Sequence, residues 1–260
     1  MMELQQRQER ILEVLADLEF RASGARAPSD APRARKLAAR QEHLISQMEK
    51  LEASLGVDPS EIAVSAAPEL PADASAVHTR LHGELVSRGV MDFKFHRAPP
   101  EYYSWSLEQR RVELGAVSTN QLCKSIVMEN KSATDDIVDC SNPKNSRFYC
   151  IIVQYNARLD AEKVRSYVHQ LNEGAVAKRR FNMQLARGED NDRLTGYAHN
   201  AVSPVGMATD IPMIISHHIA ELAHEGGFFW MGGGEVDLKL GMTAKSFIKA
   251  YKPFVADITH

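Results

Sequence analysis

The sequence predicts a protein of the α+β or mixed α/β class: a curled mixed sheet with helices packed outside it, preceded by an α-helical hairpin or coiled coil. Three observations carry that expectation. Apolar residues recur at helical spacing through the first 56 positions. After residue 75, short strand-like and helix-like runs mix without strict alternation, which suits a mixed or largely antiparallel sheet. One run, Arg147 to Tyr155, is apolar on both faces and belongs at the centre of that sheet.

In chain order, Leu4, Ile11, Leu15 and Leu18 share one face of an amphipathic helix. Gly24, Pro28 and Pro32 end it, and Ser29 or Asp30 offers the next N-cap. Leu37, Leu44, Met48, Leu51 and Leu55 then follow at steps of seven, four, three and four, the seam of a helical hairpin or short coiled coil closed by Gly56. A hairpin this short needs a partner for its apolar stripe: the main domain, a second copy of the chain, or another protein. The proline- and alanine-rich residues 57–75 read as a linker, which divides the chain into a hairpin (1–56), a linker (57–75) and a main domain (76–260).

The main domain opens with a helix whose face holds Val77, Leu81, Leu85 and Val86, closed by Gly89, and a strand from Asp92 to His96. A helix from Ser106 to Leu114, a strand from Lys124 to Glu129, a polar loop to Ser146 and the strong central strand come next. Asp160 is the expected N-cap of a helix running through Val164, Tyr167, Val168 and Leu171 to Gly174. Beyond a central loop lie a strand at Pro212 to Ile215, a short helix or turn at His217 to His224, strands at Phe228 to Met231 and Glu235 to Leu240, a helix at Thr243 to Lys252 and a last strand at Phe254 to Ile258.

Composition narrows the function. With 260 residues, 44% hydrophobic and 25% charged, the chain is an ordinary globular one. A net charge of −3 excludes a binder that coats its whole surface with nucleic acid, and leaves room for a local basic patch. Cys123, Cys140 and Cys150 lack metal-ligand spacing and read as free thiols in a reducing compartment. The first residues are charged and no apolar run reaches the roughly 18 residues of a membrane span. The expected location is therefore the cytoplasm, with no secretory signal and no membrane.

Two stretches carry the functional signal. Thr195 to Met207, TGYAHNAVSPVGM, has two glycines and a proline and no Asp, Glu, Lys or Arg. Gly196 and Gly206 suit positive φ, and Pro204 stiffens the chain and extends Ser203, so the loop presents backbone N–H groups on one side. Far upstream, in Leu122-Cys123-Lys124-Ser125-Ile126-Val127-Met128, a lysine enters an apolar strand. Other features carry less. His217, His218 and His224 do not fit HExxH, because Glu225 follows the last histidine, and neither a metal nor a cofactor is expected. Gly232-Gly233-Gly234 lacks the Lys-Ser/Thr of a phosphate loop and reads as a β-turn. Cys123 reads as a packed thiol.

On these residues, 76–258 resembles the YbaK/ProX family, freestanding relatives of the editing domain of prolyl-tRNA synthetases. The resemblance rests on the lysine and small hydroxyl residue heading an apolar strand (Lys124, Ser125), the central strand and following helix (Phe148 to Leu171), the Thr195-Gly196-Tyr197 then Ser203-Pro204-Val205-Gly206 loop, and the strand, glycine turn and strand from Phe228 to Leu240. It implies an aminoacyl-tRNA deacylase without a cofactor. Lys124 would be catalytic, and Ser125, His199, Asn200, Ala201, Val202, Ser203, Pro204, Gly206 and Gly233 would bind substrate. The family loop usually has glycine where this chain has Asn200, which bears on the pocket's shape and the amino acid removed.

Ester hydrolysis needs a placed water, donors for the developing oxyanion and a shape filter, all within reach of a stiff loop and one fixed cation. His199 offers either a general base or a structural hydrogen bond. Lys178, Arg179, Arg180 and Arg187 form either a solvated basic run or contacts to tRNA phosphates. The expected partners are aminoacyl-tRNA and, through the hairpin, a synthetase or a second copy. The alternative function is a non-catalytic adaptor that binds tRNA or a synthetase with the same fold.

Overall fold

The structure, a computed structural model, describes residues 67–260 apart from 135, 136, 138 and 226. The hairpin expected over 1–56, and the linker as far as 66, lie outside the described residues. Among those described there are six α-helices and eight strands: α1 (Ala76–Ser87), β1 (Phe93–Arg97), α2 (Leu107–Glu113), β2 (Cys123–Asn130), β3 (Phe148–Gln154), α3 (Ala161–Leu171), β4 (Met183–Leu185), α4 (Gly188–Thr195), β5 (Met213–Ser216), α5 (His217–Glu221), β6 (Phe228–Gly232), β7 (Leu238–Thr243), α6 (Ala244–Tyr251) and β8 (Phe254–Ala256). No described helix is long and apolar enough to cross a membrane.

The strands form two sheets, of three in the order β1-β7-β6 and of five in the order β4-β2-β3-β5-β8. The smaller sheet is antiparallel throughout. In the larger, β2 runs antiparallel to β3 and β4, while β3, β5 and β8 are mutually parallel. This is the mixed sheet and helix architecture expected, with the curl resolved into two sheets that touch at a bridge between Leu122 and Trp230.

β3 is central because both its faces are covered. Successive side chains point to opposite faces, so Phe148, Cys150 and Ile152 enter one apolar cluster with α1 and α6, while Tyr149, Ile151 and Val153 enter another against Val164 and Val168 of α3. The helices begin where their caps dictate. Ser75 accepts from His78 N–H, Ser106 forms a capping box with Gln109, Asp160 accepts from Glu162 and Lys163, and Thr243 accepts from Ser246.

Three expectations need correction. The strand expected at Glu235 to Leu240 is displaced to Leu238–Thr243, because Glu235 and Asp237 are held at the turn by ion pairs of 2.8 Å each with Arg97. Short β4 and polar α4 were not anticipated, since GEDNDRLT buries only Leu194 and Thr195. A 3-10 turn at Pro100–Ser104 was likewise missed.

Ile151 is fully buried in β3. Ile151→Ala is expected to lower the unfolding free energy by about 2–5 kcal/mol in urea titrations, as cavity-forming core substitutions do; a loss below about 1 kcal/mol would contradict the central placement of this strand.

Candidate functional site

The site begins with a strand that changes neighbours. From Met128 to Asn130, β2 pairs with β4, and the Ala186 N–H donates to the Val127 carbonyl at 3.0 Å. At its other end Leu122 bridges to β6. Between these points the edge of β2 facing away from β3 has no strand beside it among the described residues. In an antiparallel pair the hydrogen-bonding groups of alternate residues turn to alternate sides, so the N–H and C=O of Ser125 point the same way as those of Val127, toward this open edge. Cys123 through Val127 all line the cavity that fills the gap, about 480 Å³. That volume lies in the range of small-molecule sites.

Lys124, half-buried, has its Nζ 5.7 Å from the centre of the Tyr155 ring. Among the described residues lining the cavity, it is the only lysine or arginine, and Asp192 of α4 is the only carboxylate. Ser125 Oγ is buried without a hydrogen-bond partner among the described residues. A buried hydroxyl normally has one, so Ser125 Oγ is an unsatisfied polar group in the wall of the cavity.

The loop is stapled from within. Gly196 and Gly206 adopt φ of 73° and 69°, as their positions required. The Tyr197 hydroxyl lies 2.6 and 2.8 Å from the carbonyls of Val205 and Gly206, and the Arg80 guanidinium of α1 donates to the Gly206 carbonyl and packs on the Tyr197 ring. Gly234 N–H donates to Ala201 C=O at 3.1 Å. The Val202 carbonyl lies so close to Gly232 that a Cβ there would come within 2.2 Å of it. Glycine is what lets the loop rest on β6. Asn200 has φ of 64°, a left-handed conformation that asparagine tolerates better than most residues. Its carbonyl accepts from Tyr103 Oη at 2.7 Å.

Of the expected substrate-binding residues, Ser125, His199, Asn200 and Val202 line the cavity together with Lys124. The others do not. Ala201, Ser203, Pro204 and Gly206 are buried, and Gly232 takes the place expected of Gly233, whose N–H closes the β6–β7 turn on Leu238 C=O. The loop's supply of backbone donors is correspondingly smaller than the sequence suggested. Ala201 N–H is spent on Ala198 C=O and Val205 N–H on Ser203 Oγ. The amides of Asn200 and Val202 have no partner among the described residues.

The basic residues divide. Arg187 caps α4 between the lining residues Ala186 and Gly188, where it pairs with Asp190 at 3.2 Å. Lys178–Arg180 form a 3-10 turn at the far end of β2, where Asn130 Nδ2 donates to Arg180 C=O. Six residues of strand separate Asn130 from Lys124, about 20 Å. His217, His218 and Glu221 have ligand atoms within 4.8 Å of one another, a grouping their spacing did not announce, and none of them lines the cavity. All three cysteines are free and buried. Burial pushes the Cys123 thiol far up, so it is no nucleophile.

Sequence reasoning missed Tyr103, Tyr155, Asp192 and Lys239. Lys239 of β7 is 4% exposed, with Nζ donating to Val236 C=O at 2.7 Å and to Tyr103 Oη at 3.0 Å. Burial lowers its pKa to about 8, against a raising effect of Asp237 and with a further lowering by Arg110. The pair Tyr102-Tyr103, one residue after Pro99-Pro100, was the available signal for an ordered aromatic turn beside the site.

No family model matches the chain, and no curated protein matches it. Solved structures do. The chain is similar to a candidate trans-editing enzyme for prolyl tRNA synthetase (22% identity, TM-score 0.55), covering 72% of this chain and 99% of that one. A scaffold protein from work on epitope backbone grafting by computational design matches at 21% identity and TM-score 0.54, with the same coverage. A hypothetical protein matches at 17% identity and TM-score 0.51, over 70% of this chain and 99% of that one. At these identities the likeness is one of fold.

Lys239 gives a pH signature. It titrates near 8 when folded and near 10.5 when unfolded, so between these values the unfolded chain binds more protons. Its contribution to stability therefore rises with pH through that window and is lost as pH falls through about 8. The unfolding free energy of wild type relative to Lys239→Met is expected to rise by about 2 kcal/mol from pH 7 to pH 9.5; a flat difference would contradict a desolvated ammonium at this position.

Proposed function

We propose that the chain is a trans-editing hydrolase of the YbaK/ProX kind, which deacylates mischarged aminoacyl-tRNA in the cytoplasm. One observation carries the reading: Lys124, Ser125, Asn200 and Val202 line a single cavity of about 480 Å³. The fold likeness to a candidate trans-editing enzyme supports it.

In this reading the aminoacyl group enters the gap beside β2. Lys124 holds the carbonyl or the phosphate of the terminal adenosine as a fixed positive charge. The free amides of Asn200 and Val202 stabilise the oxyanion as water attacks the ester carbon; the bond from that carbon to the ribose oxygen then breaks, and the ribose oxygen takes the water's proton to become a hydroxyl. The tRNA's own neighbouring hydroxyl orients the water. No side-chain nucleophile and no cofactor enters. Arg187, beside the mouth, meets the phosphates nearest the amino acid; Lys178, Arg179 and Arg180 serve phosphates farther along the acceptor stem. The hairpin of residues 1–56 docks a synthetase or a second copy.

Asn200 motivates the adaptor reading, since it stands where related loops carry glycine. Its left-handed backbone removes most of that motivation: asparagine occupies the conformation for which glycine would be chosen. The side chain then alters the pocket without altering the turn.

The test is release of amino acid from a panel of mischarged tRNAs by the full chain and by Lys124→Ala. At least one tRNA is expected to be deacylated, with kcat/KM falling about 100-fold or more in the variant, the scale of losing one oxyanion-stabilising charge. Release from none would overturn the hydrolase reading, and tRNA binding unchanged in Lys124→Ala would then favour the adaptor.

A further inference from the structure

Lys239 is a buried cation that the proposed chemistry does not use. Every residue of β7 from Leu238 to Met242 is buried, so the strand has no solvent face to which the ammonium can turn. It lies 4.4 Å from the Tyr103 ring centre and 4.8 Å from that of Tyr102. The surrounding acids are engaged elsewhere. Glu235 and Asp237 are paired with Arg97, and Glu113 is paired with His96, the residue opposite Lys239 on β1. From α2, Arg110 faces the same group of rings, over Tyr102, Tyr103 and Tyr155. An ammonium without a counter-ion among the described residues in such a place is costly, and a methionine or glutamine of similar length would cost less.

What the ammonium does reach is Tyr103. Two hydrogen bonds in series, Lys239 Nζ to Tyr103 Oη at 3.0 Å and Tyr103 Oη to Asn200 C=O at 2.7 Å, run from the buried cation to the loop. A charged donor on the phenol oxygen polarises the O–H and strengthens the second bond. That bond ends on the one residue of the loop segment 199–203 held at positive φ.

We propose that Lys239 is a positioning residue: through Tyr103 it fixes the left-handed turn at Asn200, and so sets where the amides of Asn200 and Val202 stand in the cavity. The consequence for catalysis rests on the deacylase reading; the consequence for the loop does not. Protonated, Lys239 holds the turn firmly. Neutral, it leaves Tyr103 a weaker donor and the turn looser. The charged and titratable groups facing it are Arg97, Arg110, Glu113, Glu235, Asp237, His96, Tyr102, Tyr103 and Tyr155; the first six are in ion pairs or over the rings as described, and burial raises all three phenols above their ordinary range.

The experiment uses the full chain as wild type, Tyr103→Phe, Lys239→Met and Lys239→Arg, with two readouts. The first is the amide NMR shifts of Asn200, Ala201 and Val202 between pH 7 and pH 9.5. The second is deacylation kcat and KM over the same range. In wild type the three amides are expected to shift with a midpoint near pH 8, accompanied by a loss of kcat. Tyr103→Phe and Lys239→Met should abolish that transition and lower kcat at neutral pH at least tenfold, with KM within twofold. Lys239→Arg, always charged, should retain kcat within threefold at neutral pH and lose the alkaline transition. Tyr103→Phe and Lys239→Arg keep the test decisive should Lys239→Met fail to fold. A loop transition that persists in Tyr103→Phe, or one absent from wild type, would overturn the proposal. Loop coupling without hydrolysis of any mischarged tRNA would support the positioning role and defeat the deacylase reading alone.

Discussion

The whole site depends on a strand of the five-stranded sheet that its described neighbours leave partly unpaired along one edge. β2 is bonded to β3 along one edge, but on the other it meets β4 only from Met128 onward and β6 only at the Leu122 bridge. Backbone polar groups buried without partners cost free energy, so a gap of this kind in a sheet needs a solvated cavity or a ligand. Here it has a cavity, and the residues at the gap are the ones with chemistry to offer: Lys124, the only lysine or arginine among the described lining residues, and Ser125, whose backbone faces it.

Opposite, the loop is rigid for reasons independent of any ligand. Tyr197 and Arg80 hold its Gly206 end, Gly234 holds Ala201, and Gly232 allows Val202 to rest on β6. Its remaining donors are thus fixed before any ligand arrives, which is the condition under which hydrogen-bond donors can meet a negative charge without reorganisation. Lys239 and Tyr103 secure the last free corner at Asn200. The desolvation of that ammonium is a local cost that burial of the surrounding leucines and aromatic rings offsets, as destabilised groups at functional sites generally require.

Much of this was legible in the sequence. A lysine entering an apolar strand and a loop with no Asp, Glu, Lys or Arg pointed to the two sides of the site, and Asp160 and Thr243 announced their helices by capping chemistry. The both-faces-apolar run marked β3 as central. The rest was hidden for identifiable reasons. Lys239 alternates with two leucines, a pattern that places a lysine on a solvent face, whereas β7 is covered on both sides. α4 is too polar to show an apolar stripe, yet it supplies Asp192 and one wall of the cavity. The basic run Lys178–Arg180 looked close to the loop in sequence and is carried away from Lys124 by the length of β2. Within the loop, residue order could not say which amides face inward, because that depends on partners from α1, β6 and β7.

The central claim is that one ligand bridges Lys124 and the amides of Asn200 and Val202 across the gap beside β2. Crystals of the full chain with a non-hydrolysable 3′-aminoacylamino-adenosine test it most directly. The account predicts the amide-linked carbonyl within hydrogen-bond distance of those amides, with Lys124 Nζ on the carbonyl or the adenosine end. A ligand seated elsewhere, or a cavity that stays closed to it at saturating concentration, would contradict the account.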